Sequence, residues 1–207
     1  MERLRPFDAV IFDLDGTLYD KKHLPVYLAG AQFFHLGLLK AERKVRKTLS
    51  GMHFRNGEAF YNEFFTRVAV ESGHGAEKVR KWYFRNYLPS MANALRKHCR
   101  LRPWVAELFV LLKARGIPAV VYSDYGAVEE KLQALGFNPA WAVKICCAPD
   151  FGGLKPDPDG FRQIARELNL PPSRVLVVGD RDDTDGEGAR RSGMPFLLVD
   201  GDSRPGI

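Results

Sequence analysis

The sequence predicts an α/β fold, a parallel sheet between layers of helix with a purely helical segment inserted into it. Three observations carry this. The run Ala9-Val10-Ile11-Phe12 is short, apolar and followed by a turn at Gly16, the pattern of a buried strand. From Pro103 onward apolar runs alternate with helical segments, which implies βαβ units and right-handed crossovers. Between these regions, residues 24–101 carry no strand signal.

The first strand leads directly into Asp13 and Asp15. The inserted segment reads as several helices with aromatic stripes. Phe60, Phe64 and Val68 recur at helical spacing and belong in a core, as does the cluster Trp82, Tyr83, Phe84 and Tyr87. Glycines at 37, 51, 57, 73 and 75 punctuate these helices. Arg43, Lys44, Arg46, Lys47 and Arg55 make the segment basic; most suit a helix surface, and one or two are free to face an anionic substrate. Pro103 suits the first turn of a helix that Gly116 ends. A strand over 117–122 then runs into Ser123 and Asp124, and a helix over 127–135 ends at Gly136. A short strand follows at 143–147, and Asp157 caps a helix that Pro158 begins and that reaches about Leu168. A strand over 174–178 enters Gly179-Asp180, a helix ends near Gly193, and 196–199 is the last strand. The closing GDSRPGI is expected to fray.

At 207 residues with 45% apolar content, the chain allows one large domain, or a core with one insertion. No apolar run is long enough to cross a membrane, and the stretch after Arg3 and Arg5 lacks the features of a signal peptide. Cys99, Cys146 and Cys147 are odd in number and lack metal-like spacing, so a reducing cytoplasmic setting is expected. The net charge of +6 fits an anionic ligand or a solvated basic surface. No recognised nucleic-acid motif accompanies it, so neither nucleic acid nor membrane is expected as a partner.

Polar residues gather where strands end: Asp13 and Asp15, then Ser123, then Asp180 followed by Asp185, with Lys155 in the loop GGLKPDP. Alone, each is explained by a turn, a cap or a solvated side chain. In a parallel sheet, however, the strand ends lie along one edge, where open α/β sheets bind ligands. Carboxylates following a buried strand also need partners to offset their desolvation.

Four segments, in order, resemble the haloacid dehalogenase-like (HAD) superfamily of hydrolases: DLDGTL from Asp13, the serine of VVYSD at Ser123, the lysine of GGLKPDP at Lys155, and GDRDDTD with Asp180 and Asp185. The resemblance covers residues 8–20 and 102–200. It implies a Rossmann-like three-layer αβα core over 1–20 and 102–207, with a helical cap over 21–101. The nearest look-alikes are the phosphoglycolate phosphatase and beta-phosphoglucomutase branches. By the same resemblance, Mg2+ contacts the Asp13 carboxylate, the Asp15 backbone carbonyl and the Asp180 carboxylate. Asp185 then holds a water of the metal or orients Lys155, and Ser123 with nearby backbone amides grips the phosphoryl oxygens.

The chemistry follows from the residue types. A carboxylate nucleophile, Asp13, splits a slow phosphate ester hydrolysis through an aspartyl-phosphate. Asp15 serves as acid and base if its pKa is raised by the neighbouring acids. At 4 Å, each pair of like charges among Asp13, Asp15 and Asp180 costs about 4 kcal/mol at an effective dielectric of 20, which a divalent cation cancels. Metal and Lys155 then neutralise the transferring group.

The reading is a Mg2+-dependent phosphatase of a small phosphorylated metabolite, working as a monomer or homodimer. A phosphomutase uses the same core with a different cap and water exclusion. A haloacid dehalogenase leaves the second acid without a task, and a non-catalytic binding module does not need the intact acids. Asp124 stands where many relatives have Asn, with its backbone amide towards the phosphate. Asp182 and Asp183 are expected to be solvated or helix-capping. The cap is expected to supply selectivity. Its glycine-bracketed loop Gly51-Met52-His53-Phe54-Arg55-Asn56-Gly57 is the candidate leaving-group contact through His53 and Arg55, and its tethers at 19–23 and 100–103 suit hinges.

Overall fold

Five parallel strands form one sheet in the computed structural model, which describes residues 7–207: β1 (Ala9–Phe12), β2 (Ala119–Ser123), β3 (Lys144–Cys147), β4 (Val175–Gly179) and β5 (Phe196–Leu198). Their spatial order is β3-β2-β1-β4-β5. Phe12 stands opposite Val121 on one side and Val178 on the other, so β1 is central and its carboxyl end lies level with those of β2 and β4. The chain builds outward from β1 to β3, then crosses back to place β4 on the other flank. The switch point therefore falls beside the end of β1, the position at which such sheets leave a crevice.

All four residues of β1 are buried, and alternate ones feed different cores. Val10 and Phe12 pack with Val105, Leu108 and Phe109 of α6 (Trp104–Ala114) and with Leu132 of α7 (Val128–Ala134). Ala9 and Ile11 pack with Phe161 and Ile164 of α8 (Asp159–Glu167) and Ala189 of α9 (Glu187–Ser192). Helices thus cover both faces, which accounts for strands that read as continuous apolar runs rather than alternating ones.

The insertion consists of α1 (Leu24–Ala31), α2 (Leu36–Leu49), α3 (Gly57–Ser72), α4 (Ala76–Trp82) and α5 (Leu88–His98), with a π-helical turn at Tyr83–Tyr87 between the last two. Phe60, Phe64 and Val68 are fully buried, as their spacing demands. Phe64 stacks on Phe60 at 5.9 Å and meets the edge of Tyr83 at 5.4 Å. Asn56 caps α3 by accepting from Ala59 N at 2.9 Å. Phe33 and Phe34 stay outside this core, in a short 3₁₀ turn where Phe34 is 92% exposed.

Besides the packing of α5 on α7, insertion and sheet are joined at the tethers, at Arg46 and at the 51–57 loop. The two tethers run side by side, with Tyr19 bridged to Leu101 and Arg102 N donating to Leu18 O at 2.8 Å. Arg46 of α2, 9% exposed, donates to the Asp124 carbonyl at 3.0 Å and lies 4.1 Å over the Tyr125 ring. The 51–57 loop pairs with the loop after β3: Phe54 N donates to Gly152 O at 2.6 Å and Gly51 N to Leu154 O at 3.2 Å.

Among the described residues no helix is long and apolar enough to cross a membrane. The three cysteines are buried and free of disulfides, Cys146 and Cys147 within β3. Helix α8 begins at Asp159, whose amide points to Asp157 Oδ1 at 3.4 Å. The expected fraying of the C-terminal tail is not what the structure has. Asp202 is ion-paired to Arg102 at 2.7 Å, Arg204 to Glu107 at 2.6 Å, and Pro205 is buried.

Gly152 has φ +88°, and a Cβ there would lie 2.2 Å from Phe54 O, whereas Gly116 has φ +67° and open space. Both require a residue that tolerates the left-handed region. Urea unfolding should therefore show Gly116→Ala losing about 1 kcal/mol and Gly152→Ala losing more, about 2–3 kcal/mol. Equal losses would mean that the loop pairing carries no stability.

Candidate active site

Asp13 is the first residue past β1. Its amide donates to Val178 O at 2.9 Å, which holds it in the sheet, and its side chain is buried. Both carboxylate oxygens have donors: Thr17 Oγ1 on Oδ2 at 2.9 Å and Lys155 Nζ on Oδ1 at 2.7 Å. The chain turns sharply after it, with Leu18 N bonded to Leu14 O at 3.1 Å and Gly16 at φ +107°. A Cβ on Gly16 would lie 2.2 Å from Asp180 Oδ2, so only glycine lets the first and fourth motifs approach.

Lys155 bridges Asp13 and Asp185, the second contact at 2.8 Å, with Nζ 5.0 Å from the centre of the Tyr122 ring. Burial disfavours its charge, but Asp13, Asp185 and Asp124 outweigh that and hold its pKa well above the ordinary lysine value. Its backbone amide donates to Asp124 Oδ1 at 2.9 Å, so Asp124 positions the Lys155 loop. Burial raises the pKa of Asp124. Asp185 sits in a π-helical turn, Asp182–Gly186. Burial, with Asp13 and Asp124 adding to it against Lys155, pushes its pKa up to about 7.

Asp15 differs from expectation. Its Oδ2 receives Lys131 Nζ at 2.5 Å and Ser123 Oγ at 2.7 Å, and its Oδ1 receives Tyr19 OH at 2.6 Å. Burial raises its pKa, but Lys131, helped by the two hydroxyls, overcomes this and lowers it. The neighbouring acids do not set its pKa, because a fully buried ammonium lies closer than any of them. Lys131 was not legible: in VEEKLQA it reads as one more charge on a solvated helix face. Ser123 is likewise committed to Asp15 and to the Tyr125 amide at 3.1 Å, rather than turned outward.

Asp13, Asp180 and Asp185 bring three carboxylates within 4.8 Å of one another, a set able to hold a metal ion. Lys21, from the first tether, points into the same place. It donates to Asp15 O at 2.6 Å and lies 2.7 Å from Asp180 Oδ2. Burial raises the pKa of Asp180, and Lys21 only partly offsets this. Asp182 and Asp183 lie outside, paired with Arg190 at 2.8 Å and Arg181 at 2.5 Å.

A family model described as haloacid dehalogenase-like hydrolase matches residues 7–193. The chain belongs to this family. Among curated relatives of this HAD hydrolase, an N-acetylmuramic acid 6-phosphate phosphatase of Pseudomonas aeruginosa is 30% identical, with 96% of this chain and 84% of that protein covered. A phosphoglycolate phosphatase of Neisseria gonorrhoeae is 27% identical over 83% and 71%. A HAD-hydrolase of Bacillus subtilis, solved bound to magnesium, shares the fold at TM-score 0.64 and 14% identity, covering 94% and 89%.

A pocket of about 230 Å³ at this edge of the HAD hydrolase is lined by Asp13, Asp15, Asp180 and Asp185 with Lys21 and Tyr125 among others. His53 and Arg55 are not part of it. The 51–57 loop is spent on pairing with 152–154, and His53 Nδ1 lies 2.9 Å from Asp157 Oδ2. Arg55 is exposed.

The Lys131–Asp15 pair is the site's most buried cross-element ion pair outside Lys155. Lys131→Met leaves a carboxylate with two hydroxyl donors and no cation, and should cost roughly 3–5 kcal/mol in urea unfolding. The Asp15→Asn/Lys131→Met double variant should recover part of that loss. A single variant as stable as the wild type would show that the pair contributes nothing.

Proposed function

We propose that the chain is a Mg2+-dependent phosphatase that hydrolyses a small phosphorylated metabolite through an aspartyl-phosphate on Asp13. The observation that carries the reading is the Asp13 carboxylate, held between Lys155 and Thr17 at a sheet edge that also gathers Asp180 and Asp185. The relatives named as phosphatases point the same way.

The residues fit a metal. Three carboxylates and the Asp15 carbonyl are hard oxygen donors, and the chain's own Lys21 ammonium is drawn among them, which marks the place as one that seeks positive charge. Asp13, Asp180 and Asp185 with the Asp15 carbonyl would hold the ion, which when bound supplies charge neutralisation for a phosphoryl group. Lys21 has to leave, and its side chain, 40% exposed, is free to do so.

In the reaction, an Asp13 oxygen bonds to phosphorus as the ester oxygen departs. Lys155, bonded to one Asp13 oxygen, keeps the carboxylate oriented. The ester oxygen takes its proton from Asp15. As found, Asp15 is in the base form, so it acts as acid only after its carboxyl turns away from Lys131, which releases the hold on its pKa. Water then attacks phosphorus as the bond from phosphorus to the Asp13 oxygen breaks, which releases phosphate and the Asp13 carboxylate, and Asp15, returned to carboxylate, takes the water's proton. Division into a core of 1–20 and 102–207 and a cap of 21–101 is supported by the paired tethers at Tyr19 and Leu101. A haloacid dehalogenase reading leaves the Asp180–Asp185 cluster without a purpose.

Turnover of an aryl phosphate should stop in EDTA, return with Mg2+, and fall by roughly three orders of magnitude or more in Asp13→Asn. Undiminished turnover in EDTA would exclude the metal. In metal titrations followed by calorimetry, Lys21→Met should bind Mg2+ about tenfold more tightly, because a competing charge has gone. Unchanged affinity would show that the ammonium does not occupy the metal's seat.

A further inference from the structure

We propose that α2 provides a binding subsite for a second anionic group, a carboxylate or a phosphate, on the leaving portion of the substrate; this rests on the phosphatase reading above. Beside the acidic pocket lies a second cavity of about 300 Å³. The two share Asp124, Tyr125, Arg181 and Thr184 as common walls, so one molecule can extend through both.

Their charges are opposite. The first is walled by Asp13, Asp15, Asp180 and Asp185. The second is walled by Arg43, Arg46, Lys47, Lys155 and Arg181, with Asp124 its only acid among the described residues. Most of these cations are already paired: Arg46 with Glu42 at 2.7 Å, Lys155 with Asp13 and Asp185, and Arg181 with Asp183. Arg43 and Lys47 differ. Both are exposed, and among the described residues neither has a hydrogen-bond or ion-pair partner. They stand one turn apart on the same face of α2, where like charges repel. An anion between them relieves that repulsion.

Arg43 also lines a smaller space of about 130 Å³ with Asp15, Tyr19 and Lys21, so its side chain borders the reaction site itself. The face is held in place rather than floating. Next to Lys47 in sequence and three residues on from Arg43, Arg46 is anchored to the Asp124 carbonyl and lies over Tyr125, both walls of the two cavities. A phosphate ester with a second anion is therefore oriented by polarity alone. Its phosphoryl group goes to the metal end, and its second anion, repelled by the carboxylates there, goes to α2. A neutral leaving portion gains nothing from Arg43 or Lys47.

The test compares glycerol phosphate, phosphoglycerate and glycerol bisphosphate, which differ in having no second anion, a carboxylate or a phosphate. Wild-type kcat/KM should favour one or both anionic compounds by about tenfold, chiefly through KM, and the favoured one identifies the group. The Arg43→Gln/Lys47→Gln variant should bring the ratio close to one, and added salt should shrink it in the wild type. A wild-type ratio near one, or one that survives the double substitution, overturns the subsite while leaving the phosphatase reading intact. If none of the three is hydrolysed, the phosphatase reading is decided by the aryl phosphate assay above. The subsite is then decided by binding of the same compounds to Asp13→Asn protein: tighter binding of the anionic ones, lost in Arg43→Gln/Lys47→Gln, supports it, and equal binding overturns it.

Discussion

A single buried ammonium ties the site together. Lys155 lies between Asp13 and Asp185, and without it two desolvated carboxylates from neighbouring strand ends would face each other. Like charges at such separations repel by several kcal/mol in this environment. The sheet brings the acids together through its register, and the lysine makes their proximity tolerable. The loop that presents Lys155 is therefore a structural requirement of the edge as much as a chemical one. Its other bonds fit that role: the amide on Asp124, the carbonyl receiving Ser50 Oγ at 2.8 Å, and the neighbouring backbone paired to 51–54.

The site divides its positive charges by accessibility. Lys155 and Lys131 are buried and each serves a particular carboxylate. Lys21 is half in solvent and holds an oxygen of Asp180 and the Asp15 carbonyl. Arg43 and Lys47 are exposed and uncommitted. Buried pairs resist exchange because separating them strands a charge, whereas exposed ones exchange partners freely. Arranged in this way, the acidic edge is held by its buried pairs and stays adaptable at its exposed cations.

Much of this was legible in the sequence. β1 and the strands ending at Ser123 and Gly179 were readable because both sides of the sheet are covered, which turns each strand into an apolar run with a polar stop. Asp13, Asp180 and Asp185 were readable as polar residues at or just after those stops and Lys155 as the lysine of the GGLKPDP loop, and they converge. What escaped was whatever depended on a long side chain reaching across elements. Lys131 reaches Asp15 from a helix whose charges look solvated, Lys21 enters the site from a tether, and Arg46 spans from the insertion to Asp124. Residue spacing says which face a side chain leaves from, not how far four methylenes carry its charge. The 51–57 loop misled for the opposite reason. Its glycines and mixed polarity suit a ligand contact, but glycine equally permits close backbone pairing, which is what Gly152 and Phe54 show.

That pairing limits how portable the helical insertion is. Because 51–54 hydrogen-bonds to 152–154, the insertion is fastened to a stretch a hundred residues away in sequence that also carries Lys155. Cutting at the two tethers separates the chain neatly on paper but severs an interface that belongs to both halves. A chimera that transplants residues 21–101 onto another relative's sheet must bring the recipient loop with it. Otherwise it places a foreign surface against the lysine on which the acidic edge relies.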